Sequence, residues 1–211
     1  MSTKKEETRA RLLDAARRLL VERGFHGVGL EDIAAAAGVS RQAVYKSHFA
    51  SKADLLLALV RHVHVAENLD ELVRPALEAK SALARFEATI GTIVRIEERL
   101  HDLAMSLSMA ALSDADAAVA WRDRLEVKRG ALRDAVRGLA DEGRLGRGWD
   151  AEDAVDMLSA LVSVDTYHRL VVERGLTPEA LIHNIVELCA GSIVVERKDT
   201  MRRRKRKPRV R

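Results

Sequence analysis

The 211-residue sequence has one cysteine, Cys189, and an aromatic content of only 3%. A single thiol excludes an intramolecular disulfide and any cysteine-rich zinc site. No apolar run approaches the roughly 20 residues of a membrane helix. The start, Met1 to Arg11, is too charged for a secretory apolar region, so a cytoplasmic protein is expected. Catalytic signatures are missing too. There is no G-x-x-x-x-G-K-[ST], no G-x-G-x-x-G and no defensible Ser/His/Asp spacing, so the expectation is a protein that is not an enzyme. Glu98 and His101 form one E-x-x-H, but a di-iron bundle needs a second copy and further carboxylates. His62 and His64, two residues apart, point to different faces of a helix. No metal and no cofactor are expected.

What is present is helix-forming. Ala, Leu, Arg and Glu dominate, and these side chains lose little rotamer freedom in a helix. The net charge of +4 conceals a pattern: about +3 over residues 1–60, −8 over 61–196 and +9 over 197–211. A polyanion is therefore expected to meet the ends of the chain, and most of the high isoelectric point comes from the tail.

Local signals place the elements. Thr3 and Glu6 form a T-x-x-E capping box, and Leu12, Ala15, Ala16, Leu19 and Leu20 make one buried stripe. Gly24 ends that helix in a left-handed turn. Leu30 to Ala37 makes a short helix, Gly38 a tight turn, and Ser40 caps a second short helix running to about Lys46. Two helices joined by a short Gly-containing turn define a helix-turn-helix. Ser51 caps the next helix, with Leu55, Leu56, Leu59, Val60 and Val63 inward. Helices are expected over Leu83 to Leu112, broken once near Glu98 to Asp102, and over Ala115 to Leu139. The last two are expected over about Ala151 to Arg174 and Pro178 to Glu196, the latter with Thr177 as N-cap. Both are apolar on more than one face. Either they form a homodimer interface, as a four-helix bundle, or one of them is central in a monomeric core.

Thr8, Gly24-Phe25, Ile33-Ala34, Gly38-Val39-Ser40, Tyr45, His48-Phe49 and Ser51-Lys52 together resemble the head of the TetR/AcrR family of bacterial regulators. Two positions depart from that pattern. Gly29 stands where the family has a Thr or Ser cap, and one residue is inserted in the family's Y-x-H-F. A loop that absorbs the insertion leaves Phe49 packed; His48 is the residue most exposed to its effect. The resemblance implies a homodimeric, ligand-responsive transcriptional regulator, usually a repressor, with a small-molecule effector pocket in the C-terminal helices.

The expected fold is all-α. A three-helix helix-turn-helix DNA-binding domain spans 1–50, a helical ligand-binding and dimerisation domain spans 51–196, and a basic disordered tail spans 197–211. A helix in the major groove offers its N-terminal side chains to base edges, which makes Arg41 and Gln42 readers, with Tyr45 one turn on. Ser40, Ala43, Lys46, His48 and Lys52 complete the expected contacts to double-stranded operator DNA, mostly at phosphates. Met105, Met109, Trp121, Tyr167 and His168 are the candidate pocket residues, with ordinary core filling as the alternative. The tail either adds non-specific affinity for any duplex or is simply solvated.

Overall fold

The computed structural model describes residues 4–196, and of 45–47 the backbone alone. The Thr3–Glu6 capping box and the basic tail lie outside the described residues. In order, α1 spans Lys4–Arg23, α2 Leu30–Ala36, α3 Arg41–Ser47, α4 Lys52–Ala66, α5 Leu69–Glu78, α6 Ala82–Ala110, α7 Ala115–Asp141, α8 Ala151–Leu161, α9 Val164–Tyr167 and α10 Pro178–Cys189. Among the described residues the only β pairing is two isolated bridges, Leu145 with Val194 and Ala190 with Val194. No helix among them is long and apolar enough to cross a membrane.

The chain punctuates itself with caps. The side chains of Ser40, Ser51 and Thr177 accept from the amides of Ala43, Asp54 and Ala180, as their sequence context predicts. Ser81, Asp114, Asp150 and Ser163 do the same for α6, α7, α8 and α9. Each such cap is worth about 1 kcal/mol.

Several boundaries differ from the sequence expectation. Helix α6 runs unbroken for 29 residues. Its Glu98, Arg99 and Asp102 are exposed while Leu100 and Leu103 stay buried, so the polar run is a solvent-facing stretch of a continuing helix. The segment expected as one helix over Ala151 to Arg174 breaks at Val162, because Ser163 caps a new turn; beyond Tyr167 it continues as a π-helical turn, His168–Glu173. Helix α10 stops at Cys189, where extended Ala190 and Gly191 (φ 80°) reverse the chain. The amide of Gly146 then donates to Ile193 O at 3.0 Å, and that of Val195 to Arg144 O at 2.8 Å. Gly24 ends α1 with φ 69° and ψ 167°, a conformation reserved for glycine but distinct from the expected left-handed helical one.

Two apolar clusters form the interior. One gathers α1–α4 with Leu69 and the second half of α6 through Ile96, Leu100, Leu103 and Leu107. The other gathers Phe86, Ile90, Ile93 and Val94 of α6 with Leu132, Val136 and Leu139 of α7, Leu158 of α8 and Ile185 of α10. Helix α6, about 43 Å long at 1.5 Å per residue, belongs to both. Helix α4 packs on both α1 and α7.

Candidate nucleic-acid interface

Helix α2 begins at Gly29, whose amide donates to Asp32 Oδ2 at 2.8 Å. The carboxylate three residues on thus holds the helix start, although Gly29 has no side-chain acceptor of its own. At the far end Gly38 (φ 69°) turns the chain, and the amide of Val39 donates to Ala34 O at 2.9 Å. Val44 is fully buried and Phe49 is 2% exposed, so α3 is anchored by its inner face and its exit.

The inserted residue is taken up where α3 ends. The amides of His48 and Phe49 both donate to Val44 O, at 3.0 and 2.9 Å. The wider second closure accommodates the extra residue while Phe49 enters the core. Helix α1 braces this exit: the Arg9 guanidinium lies 4.3 Å from the Phe49 ring centre and donates to the His48 carbonyl. The His48 ring is half-buried and its Nδ1 has no hydrogen-bond partner among the described residues. Burial, with the charges of Lys5 and Arg9, lowers its pKa and keeps it neutral.

The front of α3 faces outward. Ser40, Arg41 and Gln42 are exposed and Ala43 is half-covered. Arg41 reaches Glu31, but with side-chain exposures of 59% and 72% that pair holds it weakly. The side chains of Tyr45 and Lys46 lie outside the described residues. Lys52 is differently engaged. Its Nζ is 2.8 Å from Asp114 Oδ2 and 4.1 Å from the Phe25 ring centre, fastening the start of α4 to the N-cap of α7.

A short helix pair with a glycine turn, capped by serine and presenting an exposed leading edge, is the arrangement found in bacterial DNA readers. Residues 12–59 match the family of bacterial regulatory proteins called tetR. Over these residues the chain carries an N-terminal domain of the TetR type.

The transcriptional activator FasR of Mycolicibacterium smegmatis is 46% identical over 74 residues, 35% of this chain and 32% of FasR. The transcriptional repressor LfrR of the same organism is 37% identical over 95 residues, 43% of this chain and 49% of LfrR. The chain therefore aligns with a third to a half of the length of these curated relatives. Two solved structures extend the likeness to the whole fold. FadR of Bacillus subtilis, in complex with stearoyl-CoA, has TM-score 0.68 at 20% identity, covering 84% of this chain and 95% of FadR. A Saccharomonospora viridis regulator in complex with choline has TM-score 0.68 at 23% identity, covering 90% and 100%.

Beyond this TetR-type domain the candidate pocket residues do not converge on one cavity. Tyr167 lines an open cleft of about 640 Å³ between α1 and α6, beside His101. His168 stacks on His101 with ring centres 5.1 Å apart. Trp121 walls a separate apolar cavity of about 30 Å³ between α4, α6 and α7. Met105 is half-covered, while Met109 is 58% exposed.

A polar group that the sequence reading missed lies nearby. Glu97 and Lys128 are 2% and 5% exposed, and Glu97 Oε1 stands 3.6 Å from Lys128 Nζ and 3.7 Å from Arg124 Nη2. Lys128 Nζ donates to Val162 O at 3.3 Å, whereas Glu97 Oε2 and Arg124 Nη2 have no hydrogen-bond partner among the described residues. Burial pushes the Lys128 ammonium below its ordinary pKa, and the facing Glu97 carboxylate opposes that shift. The signal was in the pattern: Glu97 falls on the stripe of Ile93, Leu100 and Ala104, and Arg124 and Lys128 fall on that of Ala120 and Leu132.

Proposed function

We propose that this protein is a ligand-responsive transcriptional regulator that binds a near-palindromic operator as a homodimer. The observation carrying the reading is the outward leading edge of α3, Ser40 to Gln42, on a helix locked into the core by Val44 and, just past its end, Phe49. Arg41 and Gln42 read base edges, each good bidentate pair adding about 1–3 kcal/mol of discrimination. Tyr45 is assigned to the readers with them, and Lys46 and His48 to phosphates; Lys52 joins these only by leaving Asp114.

Apolar side chains left uncovered on the last helices, Met157 (48% exposed) and Leu188 (63%), support dimerisation through α8 and α10. Two reading helices would then lie about one DNA turn, ~34–36 Å, apart. The division into 1–50 for reading, 51–196 for sensing and pairing, and a basic tail over 197–211 follows from this reading. So does action in the cytoplasm, on chromosomal DNA. Repression is the mode proposed, because blocking a promoter requires nothing beyond occupying it, although the relatives named above include an activator and a repressor. The helical body supports effector control, as the complexes of FadR with stearoyl-CoA and of the S. viridis regulator with choline illustrate for those proteins.

Footprinting on the intergenic DNA upstream of the gene tests the proposal. A protected near-palindrome is expected, with Arg41→Ala and Gln42→Ala each losing affinity and relaxing selectivity at one base position. Operator binding unchanged in both variants would overturn the assignment. Deleting residues 197–211 is expected to leave sequence selectivity intact while lowering non-specific binding.

A further inference from the structure

An apolar groove of about 440 Å³ opens where the start of α6 faces the end of α10. Leu83, Val186 and Val195, all only partly covered, supply its walls. The rim is acidic. Glu87 of α6, Glu187 of α10 and Glu196 beyond it are exposed, and none of the three forms an ion pair among the described residues. The basic group lining the groove, Arg144, leans on a carboxylate outside it, with its Nε 3.5 Å from Glu142 Oε2.

The return after α10 decides what can lie here. The amide of Gly146 donates to Ile193 O and that of Val195 to Arg144 O, which pins Glu196 on the rim. From that rim the chain passes into residues 197–211, with ten Lys and Arg against one Asp. Five extended residues reach about 17 Å, enough to cross a groove of this size. Lys and Arg match both of its features, because their stems lie on apolar surface while their charged heads reach the rim. Each exposed ion pair is weak, but the tether holds the basic segment at about millimolar effective concentration. Other occupants suit the groove less. Duplex DNA would meet three carboxylates. The second copy proposed for the dimer would sit at Leu188, about 160° round α10 from Val186.

We infer that residues 197–211 dock in this groove of their own chain, and that non-specific duplex must displace them to use their charge. Basic heads lie on Glu87 and Glu187, with stems along Leu83, Val186 and Val195. The groove thereby restrains binding to random DNA. The displacement, though not the docking, rests on the proposed contact between this basic segment and DNA.

Carbodiimide cross-linking of the full-length protein at low salt, read by mass spectrometry, tests the docking. Amide links from Lys198, Lys205 or Lys207 to Glu87 or Glu187 are expected, and they should fade at high salt. Their absence overturns the docking. So does their restriction to links between isotope-labelled and unlabelled chains, which would put a second copy's segment in the groove. Affinity for a random-sequence duplex tests the displacement. Glu87→Gln/Glu187→Gln, at two exposed positions, is expected to bind about threefold more tightly, as when docked chains outnumber free ones two to one. With Arg202→Gln/Arg203→Gln/Arg204→Gln also present, most of that gain should disappear. An equal gain in both backgrounds would mean that the carboxylates merely repel DNA, and would overturn the displacement. Cross-links without any gain uphold the docking and overturn its competition with DNA. No cross-links, in a protein whose duplex affinity still falls with the three arginines, overturns the docking alone.

Discussion

Replacing Lys52 distinguishes two roles for one ammonium group. A phosphate-binding lysine at the mouth of α4 would be free in the absence of DNA, yet here Nζ is 2.8 Å from Asp114 Oδ2 and 4.1 Å from the Phe25 ring centre. The two charged side chains are 29% and 27% exposed, so solvent screens the pair only in part. A half-buried charge-assisted hydrogen bond contributes about 1–2 kcal/mol and the ring contact about 0.5–1 kcal/mol. Lys52→Ala should therefore destabilise the fold by about 1–3 kcal/mol, and at this chain length each kcal/mol lowers Tm by about 2–4 °C. Asp114→Asn keeps an acceptor for the α7 cap and should lose about as much as Lys52→Ala, while Asp114→Ala should lose about 1 kcal/mol more. The double variant Lys52→Ala/Asp114→Asn should be little worse than either single one. Burial pushes the Asp114 carboxyl up, but the hydrogen bonds from Lys52 and the Ala117 amide outweigh it and hold its pKa below 3.8. The stability it lends is present above that value and is lost as pH falls below it. The assays are thermal melts at several pH values and operator titrations across salt concentrations. An unchanged Tm in Lys52→Ala, with a salt slope shallower by about 0.9, would refute the strut and make Lys52 a phosphate ligand.

Three further outcomes are expected. A Cβ on Gly146 would lie 1.8 Å from the Ser192 carbonyl oxygen, so Gly146→Ala should lower stability by about 1–3 kcal/mol or more in a denaturant melt; an unchanged midpoint would mean that residues 190–196 do not pack on this turn. Burial pushes the Cys189 thiol from 9.0 up to about 11, so the native state keeps a proton that the unfolded chain releases. Fold stability should fall as pH rises from about 9 to about 11, and iodoacetamide should label Cys189 quickly only in denaturant. Leu188→Glu should convert the proposed dimer to monomer in light scattering; a dimer that survives would move the interface away from this face of α10.

The parts of the fold legible in the sequence are those that short stretches decide for themselves. Gly38, Ser40, Ser51 and Thr177 act on neighbours a few residues away, and all four turn or cap as their context predicts. The missed boundaries depend on neighbours distant in sequence or on weaker local signals. Glu98 to Asp102 reads as a break only until α6 is seen to carry its polar face outward. The reversal after Cys189 is held by Arg144 and Gly146, some fifty residues earlier. Met105, Met109, Trp121, Tyr167 and His168 were grouped by residue type, and the three-dimensional arrangement scatters them. The Glu97, Arg124 and Lys128 cluster joins two helices whose relative rotation no local pattern reveals.

The sharing of α6 between the two apolar clusters governs how this protein could be recombined. A chimaera joined at residue 50 would separate Leu12 and Leu19 from Leu55, Leu100, Leu103 and Leu107, which pack in the same cluster. A workable exchange of DNA specificity would therefore transplant only outward-facing positions of α3, leaving α1, α4 and α6 from a single parent. The same rod makes partial unfolding expensive, because neither cluster can open without uncovering part of α6. Heat should consequently melt both in a single calorimetric transition.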